Sequence, residues 1–183
     1  MVDTVAQAQV IIDACYYPPR GRRSVGSGTH YLSFGTADAE YKARANEEIL
    51  CVLMTESPEG VANAPAIYAL EGVDAVFVGP NDLRAQFTRT LPGGRRPTEA
   101  EFEGALQQAL AAGAGAGTPV GLHTFSVEEC AARVAGGFRF MAMGSDAGLL
   151  GAAAGAAVAA LGVARGDTGA AGGAGAVGGA AKY

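Results

Sequence analysis

Four places in this chain put a chemically capable group directly after an apolar run. Thr55-Glu56 follows Ile49–Met54, and Gly79-Pro80-Asn81-Asp82 closes the run from Asp74. His123-Thr124 ends the run from Pro119, and Gly144-Ser145-Asp146 follows Phe138–Met143. Glu56 and Asp82 carry the most chemistry as a pair. Two carboxylates, joined by waters and a substrate oxygen, suit an octahedral hard cation, Mg2+ or Mn2+. A plainer role stands beside each. Glu56 can cap a helix beginning at Pro58 and Asp82 can open a turn, since acids are favoured at helix starts. Gly79–Asp82 can bring backbone N–H groups near a small anion. It lacks a P-loop pattern and a following lysine, and an ordinary turn explains it better. His123 can be a base at this rim or a hydrogen-bonded structural group. His30 lies in a polar loop and reads as solvated, and Asp146 fits a helix N-cap. Arg20, Arg22 and Arg23 can bind an anion or a neighbouring subunit, or form a solvated turn. Cys51, inside a strand, reads as inert packing. No Ser-His-Asp elbow, Cys-x-x-Cys pair or dinucleotide glycine fingerprint is present.

The elements that must position these groups follow from periodicity. Val5, Ala8, Ile11, Ile12 and Cys15 have helical spacing, which predicts a helix over 4–15. Tyr17-Pro18-Pro19 ends it. Residues 18–36 read as a loop, and 37–46 as a short helix. The six-residue run Ile49–Met54 predicts a strand covered on both faces, as in parallel sheets. Ser57-Pro58 predicts an N-cap with Pro at the first helical position, and Pro65 divides that helix in two. Asp74–Gly79 is the second strand. Thr98 and Glu101 have capping-box spacing and open a helix through Phe102, Leu106 and Leu110. Pro119–Thr124 is the third strand. Ser126 and Glu129 repeat the capping box, opening a helix that stops at Gly136-Gly137. Phe138–Met143 is the fourth strand, and 147–161 an Ala-rich helix. The order β-α-β-α-β-α-β-α predicts an α/β fold with parallel strands. Four such units are half of a (β/α)8 barrel, with a small open α/β sheet as the alternative. Consecutive parallel strands lie about 4.8 Å apart, so Glu56 and Asp82 could reach one ion.

Composition sets the bounds. The chain has 183 residues, 49% apolar and 17% charged, with a net charge of -5. That suits one domain with a substantial core. Apolar stretches break well before about 18 residues, so no membrane span is expected. Acidity, with no Lys/Arg-rich block, argues against nucleic acid. Met1-Val2-Asp3 lacks a secretory pattern. Three cysteines at wide spacing fit neither a disulfide framework nor a zinc site, so a reducing, cytoplasmic setting is expected. Residues 1–162 are expected to form the domain. From 163 onwards Gly and Ala dominate, and that tail is expected to be disordered.

The residues also resemble a known family. Glu56-Ser57-Pro58-Glu59-Gly60-Val61-Ala62-Asn63, then Gly72-Val73-Asp74-Ala75-Val76-Phe77-Val78-Gly79-Pro80-Asn81-Asp82-Leu83, is similar to the metal-dependent class II pyruvate aldolases of the HpcH/HpaI aldolase/citrate lyase family. Tyr17 to Ser24 resembles the loop upstream of that strand. Ala6 to Arg23 and Asp82-Leu83-Arg84-Ala85 are especially similar to a fungal member. The likeness runs from about residue 2 to 162. It implies the C-terminal half of a (β/α)8 barrel, truncated at the N-terminus, with the family's first four strands falling before Met1. It implies a carbon–carbon lyase acting on a small 2-oxoacid, through a divalent cation that stabilises an enolate. The reaction would be aldol cleavage of 4-hydroxy-2-oxoacids to pyruvate and an aldehyde, or oxaloacetate decarboxylation. The metal-binding Glu matches Glu56 and the metal-binding Asp matches Asp82. Backbone groups at Asn81 and Asp82 would meet the substrate carboxylate. A Gln that usually contacts substrate is replaced by Met54, which cannot donate a hydrogen bond. The family's His base and enolate-stabilising Arg have no match, since neither His30 nor His123 falls in the equivalent motif. Activity of this chain is therefore weighed against a non-catalytic metal-binding or assembly module. Family members are commonly oligomers, so a homo-oligomer is expected by analogy.

Overall fold

The structure, a computed structural model, describes residues 1–26 and 29–162. The tail from 163, with the disorder expected of it, lies outside the described residues. Four strands form one sheet: β1 (Val52–Thr55), β2 (Ala75–Val78), β3 (Val120–Thr124) and β4 (Phe140–Met143). All neighbours are parallel and the spatial order is the chain order, β1-β2-β3-β4.

Local chemistry explains where the helices begin. α1 (Val5–Cys15) starts at Thr4, whose hydroxyl accepts the Gln7 N–H while the Gln7 side chain accepts the Thr4 N–H. Asp38–Glu48 forms α2. After β1, Ser57 caps α3 (Pro58–Ala62) by accepting the Gly60 N–H at 2.9 Å. α4 (Ala64–Tyr68) follows directly, with Pro65 in its first turn, so the break falls at Asn63. α6 (Glu99–Ala116) carries the complete Thr98/Glu101 capping box. Two expected caps differ by one residue. Ahead of α7 (Val127–Ala135), Glu129 accepts the Phe125 N–H rather than that of Ser126. α8 (Asp146–Ala160) is capped by Ser145, which leaves Asp146 as its first residue.

Two features correct the sequence reading. Residues 80–90 form α5 (Pro80–Thr90), where only a turn was expected. Pro80 at the first helical position and Asp82 in the first turn are start signals, and Leu83 is fully buried. The second correction concerns β1, which is covered on one face only. Leu53 and Thr55 point into a cluster with Ile67, Tyr68, Val76, Val78, Leu106 and Leu122. Val52 and Met54, on the opposite face, are exposed, as is Phe140 on β4. A continuous apolar run records that both sides of a strand avoid water somewhere, but not that helices within these residues do the covering. α8 has no buried residue.

Candidate active site

The open face of the sheet ends in a cavity of about 280 Å3, lined by residues that include Met54, Glu56, Asn81, Asp82 and His123. Glu56 follows the last residue of β1, and Asp82 lies in the first turn of α5, directly after β2. β1 and β2 pair in register, Thr55 opposite Val78, so the two acids leave adjacent strands at one rim. Ser57, not Glu56, caps α3. The plainer role for Glu56 is thereby taken by its neighbour. Its Oε1 instead pairs with the Met1 ammonium at 3.2 Å, with the side chain 15% exposed. The N-terminal residues reach it because the Val2 N–H donates to the Met54 carbonyl at 3.0 Å and Ser57 Oγ–H donates to Asp3 Oδ1.

Asp82 departs from the turn reading in a useful way. A helix N-terminus offers outward backbone N–H groups and partial positive charge. Asn81 and Asp82 occupy that first turn. His123 lines the same cavity, and its Nε2 lies 3.0 Å from the Gly144 carbonyl. Donating there fixes a neutral ring in the tautomer that leaves Nδ1 as an acceptor. The ring also meets Phe125, with centroids 4.6 Å apart. His123 is hydrogen-bonded, as its structural reading expects, and it also lines the cavity.

Other candidates are placed elsewhere. The Arg20 guanidinium stacks over Tyr16 at 3.7 Å and donates to the Asn46 carbonyl, and Arg23 stacks over Tyr17 at 4.6 Å. Arg22 pairs with Asp13 at 3.6 Å. The basic cluster thus fastens the loop after α1. The Cys51 thiol is pushed up to about 12 by burial and then by the adjacent Cys15 thiol, as inert packing requires. A larger cavity, about 530 Å3, lies between Phe34 and α2, but Thr36 and Arg44 already hold its acids, Glu40 and Glu48. Among the described residues, no group of three or more His, Cys, Asp and Glu side chains could hold a metal. No described helix is long and apolar enough to cross a membrane.

A parallel β/α sheet with two carboxylates at its C-terminal rim is the arrangement on which (β/α)-barrel enzymes build their sites. The family model for HpcH/HpaI aldolase/citrate lyase matches residues 1–153, and the chain belongs to that family. The hydroxypyruvate/pyruvate aldolase of Pseudomonas aeruginosa is 39% identical over 152 residues, which are 82% of this chain and 54% of that enzyme. The chain therefore spans about half the length of the curated relatives it matches. A family protein from Burkholderia cenocepacia J2315 superposes with a TM-score of 0.76 at 28% identity, over 89% of this chain and 63% of that one. Macrophomate synthase superposes with a TM-score of 0.68 at 25% identity, over 88% of this chain and 56% of that one.

Proposed function

We propose that this chain carries the cation and 2-oxoacid end of a metal-dependent carbon–carbon lyase. The substrates would be 4-hydroxy-2-oxoacids, cleaved to pyruvate and an aldehyde, or oxaloacetate, decarboxylated. The observation that carries this reading is that Glu56 and Asp82 line one small cavity from adjacent strand ends. The donor set fits Mg2+ or Mn2+. Such ions take one or two carboxylates and fill the remaining positions with water and substrate oxygens, so a third protein ligand is not required. A divalent ion held there supplies Lewis-acid polarisation of the 2-oxo group.

The remaining roles belong to the chain itself. Glu56 and Asp82 would hold the ion. Backbone groups at Asn81 and Asp82, in the first turn of α5, would bind the substrate carboxylate and set its direction. Met54 forms an apolar part of the wall, so the substrate gains no hydrogen bond there. His123 would present Nδ1 to the cavity as an acceptor for a substrate hydroxyl. The same reading includes a homo-oligomer, by analogy with the family.

A second reading is a non-catalytic binding or assembly module. It keeps the carboxylates Glu56 and Asp82 but has no match for the family's His base and enolate-stabilising Arg. One assay separates the two. Purified chain with Mg2+ or Mn2+ should release pyruvate from a 4-hydroxy-2-oxoacid, and Glu56→Ala or Asp82→Ala should reduce that rate about 100-fold or more. Turnover unchanged in both variants removes the lyase reading. Cation binding by calorimetry without turnover selects the binding module.

A further inference from the structure

The strand registers arrange the open face in rows. Met54, Phe77, Gly121 and Phe140 lie side by side across the four strands. Two residues further along each strand come Glu56, Gly79, His123 and Ala142, a row that includes both Glu56 and His123. Each row contains a glycine beside large groups. A Cβ at Gly121 would lie 2.7 Å from Phe77 Cδ2 and 2.5 Å from the Phe140 carbonyl oxygen. The Phe77 and Phe140 rings meet edge to face across that gap, 5.6 Å between centroids.

Gly79 does the same for a carboxylate. Its backbone, at φ -89° and ψ 98°, is open to any residue, so conformation does not ask for glycine here. Space does. A Cβ at position 79 would lie 2.5 Å from Glu56 Oε2, 3.2 Å from Glu56 Cβ and 3.5 Å from Glu56 Cδ. The Glu56 side chain, rooted on β1, is laid over the α-carbon that follows β2. The same turn of chain then leads through Pro80 and Asn81 to Asp82.

We propose that Gly79 is a positioning residue, whose bare α-carbon seats the Glu56 carboxylate beside Asp82 in the cavity the two acids line. Its role toward a cation rests on the function proposed above, whereas its role in seating Glu56 does not. A side chain at 79 must push the carboxylate aside, and Oε2 is the atom it meets first. Gly79 itself touches no substrate in this account. It acts through Glu56.

Two measurements on the full chain test this and keep the two readings apart. In a thermal double-mutant cycle, Gly79→Ala should lower Tm more in the Glu56 background than in the Glu56→Ala background, by at least ~3 °C. The Glu56→Ala change removes Oε2 and Cδ, and leaves only the 3.2 Å contact to Cβ. Equal Tm depressions in both backgrounds overturn the proposal. If Gly79→Ala alone does not fold, folding of the double variant supports it, and failure of both overturns it. In Mn2+ calorimetry, Gly79→Ala should bind at least ~10-fold more weakly than the unsubstituted chain. Unchanged Mn2+ affinity in a folded Gly79→Ala variant also overturns it. Absence of Mn2+ binding in the unsubstituted chain removes the lyase reading instead, and the thermal cycle then decides the role of Gly79 alone.

Discussion

Along β1, Leu53 and Thr55 are sealed beneath helices, while Val52 and Met54, one residue away, are 38% and 37% exposed. The same division crosses the sheet. One face holds Val76, Val78 and Leu122 in the core, together with Tyr68, whose hydroxyl donates to Thr55 Oγ1 at 3.0 Å. The other carries Phe77, Phe140 and the acidic rim. Burial on the first face fixes strand register, because a slip of one residue would exchange the two faces. The second face then inherits that register and can use it for chemistry. Its glycines at 79 and 121 make room for particular neighbours, whereas the covered face has no comparable gap in its strands.

Substitutions on the two faces should therefore differ in size. Leu106, fully buried against the covered face, should cost about 2–5 kcal/mol as Leu106→Ala, read by denaturant unfolding. Phe140→Ala, on the open face, should cost only about 1 kcal/mol, chiefly the edge contact with Phe77. A Phe140→Ala loss as large as that of Leu106→Ala would mean that the open face is covered in solution, and the contrast between the faces would fall. The smallest effect lies away from both. Hydrogen bonds from Arg95, and then from the Thr98 backbone and side chain, hold the Glu101 carboxyl at about 2 instead of 4.5. Its folded value is depressed, so the stabilisation is present above pH 4.5 and fades as pH falls towards 2. Its place at the solvent-facing surface keeps it small. Glu101→Gln should lower Tm slightly at neutral pH and leave it unchanged below pH 2, and an equal difference at both ends would remove this account.

Much of the frame was legible in the chain. Ser57-Pro58, Thr98 with Glu101, and the four apolar runs announce local events, and local events survive into the fold. The acid pair was legible for the same reason, since strand ends deliver groups to one rim in any parallel sheet. What stayed hidden depends on distant partners. Nothing near Arg20 or Arg23 in sequence says that Tyr16 and Tyr17 will receive them. Nothing near Gly79 says that Glu56, on another strand, will lie over it. α5 is a different kind of miss, because Pro80, Asp82 and Leu83 carry its signal and a turn reading absorbed them. The covering of β1 could not be read locally at all, since an apolar strand does not record which of its faces a helix will meet.

The order β1-β2-β3-β4 has a kinetic side. Every described strand pairs with the one preceding or following it in the chain, so each ladder closes a single excursion, the longest running from Val78 to Val120. The entropy spent on each closure grows only slowly with the length of that excursion. Assembly can then proceed by accretion, each β/α segment adding to an edge already formed, with no pairing that skips a strand. Folding rates of this chain should respond most to changes inside one segment and its immediate predecessor, and little to the lengths of the loops between them.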